Sequence, residues 1–127
     1  MSQTRILVAD DSKTVRKLVQ SILTGAGYQV VLASDGPEAL ELARNQPPRL
    51  AVLDIVMPLM DGYAVCEKFQ EMGSPWNEMP IVFLTSIKSQ ALEMLGSEYG
   101  GYMHKPIDAI QLLEIIEKQL AGCTQDA

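Results

Sequence analysis

The stretch Leu50-Ala51-Val52-Leu53-Asp54-Ile55-Val56-Met57-Pro58-Leu59-Met60-Asp61-Gly62 decides the fold. Four apolar residues run into a lone carboxylate, and the chain then breaks at Pro58 and turns at Asp61-Gly62. A short, continuous apolar run bounded by turn formers is the pattern of a central strand buried on both faces. Asp54 then stands where that strand ends, and open parallel sheets carry their chemistry at the carboxyl ends of their strands. A plainer role is also open to Asp54, that of capping the loop or helix that follows.

Similar runs stand on both sides of this strand. Residues 5–9, 29–33, 81–85 and 102–105 read as four further strands. Between them lie helical patterns. Val15, Leu18, Val19, Ile22 and Leu23 fall at the spacing of one helix face over about residues 13–24. Ser12 or Asp11 can cap that helix, and Gly25-Ala26-Gly27 ends it. A second helix opens at Pro37, turns Ala39, Leu40, Leu42 and Ala43 inward, and stops at Pro47-Pro48. A third spans residues 62–72 with Val65, Phe69 and Met72 inward. A weaker fourth covers about residues 89–96, with Leu92 and Leu95. A last one, about 107–121, carries Ala109, Leu112, Leu113, Ile116 and Leu120 on one stripe. Ile110 and Ile115 fall off that stripe, as isolated surface apolars or as a partner or dimer contact. Five strands alternating with five helices imply a three-layer parallel α/β sheet covered on both faces.

Composition narrows the class. With 127 residues the chain is one domain, a core over about 5–121 with a polar tail at 122–127. No apolar run approaches the ~20 residues of a membrane helix, and the polar start Met1-Ser2-Gln3-Thr4-Arg5 is not a secretory signal. Cys66 and Cys123 form neither a metal spacing nor a disulfide framework, which suits a reducing cytoplasm. A net charge of −6 argues against direct contact with nucleic acid or anionic lipid.

The strand ends bring the chemistry together. Asp10-Asp11, Asp54, Thr85 and Lys105 each close a strand, so they converge on one rim. Two like charges ~4 Å apart repel by roughly 4 kcal/mol at an effective dielectric near 20, so clustered carboxylates call for a bridging cation. An all-oxygen site open to water suits Mg²⁺, which takes a few carboxylates plus phosphate oxygens. An ammonium and a hydroxyl beside it make sense once an anionic group arrives. Asp54 is then a carboxylate nucleophile, and Thr85 and Lys105 bind the equatorial oxygens of a transferring phosphoryl group.

These residues make the chain resemble the receiver domain of two-component response regulators. The resemblance runs from Arg5 to Leu120 and rests on five motifs in order. They are Asp10-Asp11, Asp54, Met57-Pro58 with Asp61-Gly62, Thr85, and Lys105-Pro106. It implies a flavodoxin-like (βα)5 fold with strand order 2-1-3-4-5. It implies that Asp54 accepts a phosphoryl group from a phosphohistidine on a sensor histidine kinase or a histidine phosphotransfer protein. Asp11, Asp54 and the backbone carbonyl of Val56 would hold Mg²⁺ directly, with Asp10 acting through water. Thr85 and Tyr102 would form the switch, reshaping the face of the fourth helix, fifth strand and last helix for a downstream effector protein, an output domain or a homodimer formed on phosphorylation. Such a domain is not a turnover enzyme; it catalyses only its own phosphorylation and slow dephosphorylation, and apolar Val56 fits the slowness. The turn Tyr99-Gly100-Gly101 departs from the family's more usual Gly-Ala-Asp-Asp type.

Two other readings share the architecture. A flavodoxin-like cofactor binder would follow its first strand with a Gly/Ser/Thr-rich phosphate loop, where Asp10-Asp11 would instead repel the anion. An aspartyl-nucleophile phosphatase would set its nucleophile on the first strand with a second aspartate two residues on, a spacing found at neither Asp10 nor Asp54. A pseudo-receiver used only for docking would not need the full polar set. His104, the only histidine, is read as a surface residue, and Trp76 as a cover for the edge of the core.

Overall fold

The computed structural model describes residues 3–86 and 100–124. Strands β1 (Arg5–Ala9), β2 (Gln29–Ala33), β3 (Leu50–Asp54), β4 (Ile81–Thr85) and β5 (Gly100–His104) form one sheet. All neighbours are parallel, in the order β2-β1-β3-β4-β5. Helices α1 (Lys13–Gly25), α2 (Gly36–Asn45), α3 (Gly62–Met72) and α4 (Ala109–Thr124), with a 3₁₀ turn at Trp76–Glu78, complete the described elements. The helix expected at 89–96 and the residue Tyr99 lie outside them.

The central strand is as the sequence demands: every residue of β3 is buried, as is every residue of β4. Alternation divides the core between the two sheet faces. Leu7, Leu53 and Phe83 pack with Ala39 and Ala43 of α2 and Val65 and Phe69 of α3. Ile6, Val52 and Val82 pack on the other face with Val19 and Leu23 of α1 and Leu112 and Ile116 of α4. Trp76, in a short 3₁₀ turn, lies against the first cluster and donates from Nε1 to the Ala43 carbonyl at 2.8 Å.

Helix ends follow their caps. The Ser12 hydroxyl accepts from the Val15 N–H, Asp35 from Glu38 and Asp61 from Ala64. The chain stays helical through Gly25, and of the three residues expected to end α1 only Gly27 has a positive φ, at 96°. The last helix begins at Ala109 rather than 107, because Asp108 Oδ1 accepts from the Gln111 N–H and sets the first turn. Ala109 is consequently exposed, off the stripe expected of it. Ile115 is half-buried against the core, whereas Ile110 is 72% exposed.

The fifth strand starts two residues early and stops one short, leaving Lys105 just beyond it. A Cβ on Gly100 would lie 2.5 Å from the Ile81 carbonyl oxygen, and one on Gly101 2.6 Å from Ile115 Cγ2. These two glycines therefore act as strand residues at a close approach, not as a turn.

Candidate functional site

Period-two alternation carries three charges to one place. Asp10 continues the column of Ile6 and Val8, Asp54 that of Leu50 and Val52, and Lys105 follows Met103; all these apolar residues belong to one sheet face. The Lys105 ammonium sits 2.9 Å from Asp10 Oδ2 and 3.4 Å from Asp54 Oδ2. Asp10, Asp11 and Asp54 can each offer an oxygen within 4.8 Å of the others. Asp10 and Asp54 are buried and Asp11 is exposed, so the cluster opens to solvent on one side.

Local structure holds each group. Asp10 Oδ1 accepts from the Ser12 N–H at 2.9 Å, and its backbone carbonyl takes Arg16 Nη1 at 2.7 Å. Oδ2 of Asp10 is buried and, beyond the ammonium, has no hydrogen-bond partner among the described residues. Asp54 Oδ1 accepts from the Val56 N–H at 3.3 Å. Behind Asp54 stands Gly62, where a Cβ would come within 2.6 Å of the Asp54 carbonyl oxygen. The Lys105 N–H donates to the Thr85 carbonyl at 2.8 Å, tying the last two strand ends together.

Burial pushes the Asp54 carboxyl up to about 6, with the charge of Asp10 adding to the rise and Lys105 opposing it. For Lys105, burial pulls downward, but hydrogen bonding and charge from Asp10, then Asp54, outweigh it and hold the ammonium above the usual lysine range. One ammonium shared between Asp10 and Asp54, with Asp11 beside them, is a site short of positive charge. A hard divalent cation with oxygen ligands fits that deficit.

The chain matches the family described as response regulator receiver domain over residues 6–117. It belongs to that family. Response regulator MprA of Mycobacterium sp. (strain KMS) is 40% identical to this receiver domain over 124 residues, 96% of this chain and 53% of that protein. Probable transcriptional regulator ycf27 of Porphyridium aerugineum is 35% identical over 114 residues, 88% of this chain and 46% of that protein. The chain thus spans about half the length of these curated relatives. Among solved structures, the chemotaxis protein CheY4 of Vibrio cholerae matches with a TM-score of 0.86 at 30% identity, covering 93% of this chain and 99% of that one. The fold is accordingly flavodoxin-like and CheY-like.

Other residues singled out in the sequence lie outside this cluster of carboxylates and ammonium. Thr85 is fully buried and follows Phe83 on the opposite sheet face from the carboxylates. Tyr102 is half-buried and pairs with Phe83 across β4 and β5. Val56 is 55% exposed at the mouth of the site. His104 corrects the sequence reading: it is half-buried, its Nε2 is buried without a hydrogen-bond partner among the described residues, and its ring stands edge-on to Tyr102 at 5.1 Å. Residues 102 and 104 share a face of β5, and the tyrosine covers the imidazole. Sequence reasoning missed Arg16 and Gly62 as supports of Asp10 and Asp54. Arg16 carries no motif, and Gly62 reads from the sequence as a turn former.

Proposed function

We propose that this receiver domain takes a phosphoryl group from a phosphohistidine donor onto Asp54, with Mg²⁺. The observation that carries the proposal is the meeting of three carboxylates and one ammonium at the β1, β3 and β5 ends. Asp11, Asp54 and the Val56 carbonyl would hold the ion directly, and Asp10 through water. Bound there, Mg²⁺ would supply charge neutralisation between the carboxylates and the incoming phosphoryl oxygens.

A carboxylate oxygen of Asp54 attacks phosphorus while the P–N bond of the donor imidazole breaks, and the imidazole leaves with the bonding pair. The Lys105 ammonium, already beside Asp54, meets the equatorial oxygens, and the Thr85 hydroxyl donates to another. The new group adds about −1.5 to −2 charge. Movement of Thr85 toward it opens space for Tyr102 to swing inward, which changes the face around β5 and α4.

The donor is a sensor histidine kinase or a histidine phosphotransfer protein. The reader of the changed face is an effector protein or an output domain, or a second phosphorylated copy of the chain. Nucleic acid is not contacted directly, and the setting is the cytoplasm. No helix among the described residues is long and apolar enough to cross a membrane. Beyond its own phosphorylation and slow dephosphorylation the domain turns nothing over. The exposed apolar side chain of Val56 holds no water for attack on the acyl phosphate, so a half-life of only seconds would contradict this account. The test is intact mass after incubation with acetyl phosphate and Mg²⁺. Wild type gains one phosphoryl unit, and Asp54→Asn or wild type in EDTA gains none; equal gain in all three overturns the proposal.

A further inference from the structure

The opposite end of the sheet holds a second polar site. Arg5 opens β1 and pairs with Gln29 at the start of β2, while Arg49 directly precedes β3. Together with Gln3, Thr4 and Pro47 they line a cleft of about 270 Å³. Arg5 lies five residues before Asp10, which at about 3.3 Å per residue puts the cleft roughly 16 Å from the acidic rim. Among the described residues no carboxylate lines it.

The walls are set by backbone bonds, not by the guanidinium groups. The Gln29 N–H donates to the Thr4 carbonyl at 2.9 Å, and the Arg49 N–H to the Arg5 carbonyl at 2.8 Å. Arg5 Nη1 reaches the Pro47 carbonyl at 3.3 Å, but its Nε is buried with no hydrogen-bond partner among the described residues. Neither arginine forms an ion pair among the described residues. Leaving a charged group's donor buried and unsatisfied is costly, so a turn of the Arg5 side chain that brings Nε to an acceptor in the cleft is favoured. In a chain of net charge −6, two arginines without an ion pair among the described residues at one cleft are an exception to the overall charge.

We propose that this cleft binds a small phosphate-bearing molecule. Guanidinium forks match the paired oxygens of a phosphate, and the Gln29 amide adds a further donor. Water occupies about 30 Å³ in the liquid, so the cleft has room for more than a bare oxyanion, and a phosphomonoester suits it. The ligand neutralises the two arginines without approaching Asp54, so the site is independent of phosphoryl transfer at the rim.

The full chain, in EDTA so that the rim has no cation, is titrated with phenyl phosphate while backbone amide shifts are followed by NMR. Saturable shifts at Arg5, Gln29 and Arg49 are expected, unchanged in Asp54→Asn. Arg49→Gln, at an exposed position, weakens binding about tenfold, the equivalent of one charge-assisted hydrogen bond. Arg5→Lys, which keeps the charge but loses the fork, weakens it as well. The inference is overturned by shifts confined to the rim, by no saturation, by wild-type affinity in both variants, or by benzoate binding as tightly as phenyl phosphate.

Discussion

Replacing Asp54 by Asn should stabilise the metal-free protein at neutral pH, although it removes the proposed phosphoacceptor. The side chain is almost completely buried beside Asp10, and its carboxyl is raised from 3.8 to about 6. Between those values the folded state keeps a proton that the unfolded state has already lost. Stability is therefore full below 3.8, falls as pH rises through the interval, and carries the whole penalty above about 6. At about 1.4 kcal/mol for each tenfold change in proton affinity, the penalty at pH 7 is at most about 3 kcal/mol. Asn resembles the protonated acid in shape, keeps an oxygen for the Val56 N–H, and cannot ionise. Urea unfolding in EDTA should show Asp54→Asn more stable than wild type by about 1–3 kcal/mol at pH 7, with the gap closing toward pH 4. Mg²⁺ should narrow the gap at pH 7, because an ion bound only by the folded wild type adds about 2.7 kcal/mol at a hundredfold excess over its dissociation constant. A variant no more stable at pH 7, or a gap that ignores pH, would refute the electrostatic reasoning.

Three further outcomes follow from the same geometry. Lys105→Met removes the cation between Asp10 and Asp54, so in EDTA at pH 7 it should cost about 3–5 kcal/mol in chemical denaturation, the scale of a broken buried pair. Gly62→Ala drives a methyl toward the Asp54 carbonyl oxygen; a loss of about 1–3 kcal/mol and slower uptake from acetyl phosphate are expected, measured by urea midpoint and intact mass. Trp76→Phe forfeits the bond to the Ala43 carbonyl and should lower stability by about 1 kcal/mol by the same denaturation, leaving phosphoryl uptake unchanged.

The sheet was legible because β3 and β4 are apolar throughout and end on a single polar residue. That pattern also located Asp54 and Thr85, and the parity of the strands explains why Asp10 and Lys105 join Asp54. The start of β5 was hidden, since two glycines look like a turn until the closeness of Ile81 and Ile115 is seen. Ile115 itself was misplaced for the same reason: a helix stripe is judged from its own spacing, but a bare glycine opposite admits one more side chain. The partial burial of His104 depends on the tyrosine two residues earlier. Arg16 supports the site through a backbone carbonyl, a contact that leaves no residue-type signature.

The most direct test of phosphoryl capture at the rim is chemical trapping at residue resolution. Wild type treated with acetyl phosphate and Mg²⁺ is reduced with borohydride, which converts an acyl phosphate to an alcohol, and its peptides are mapped by mass. The account predicts reduction at Asp54 alone, abolished by EDTA. Reduction at Asp10, Asp11 or Asp61 instead, or a phosphoryl group recovered on His104, would contradict it.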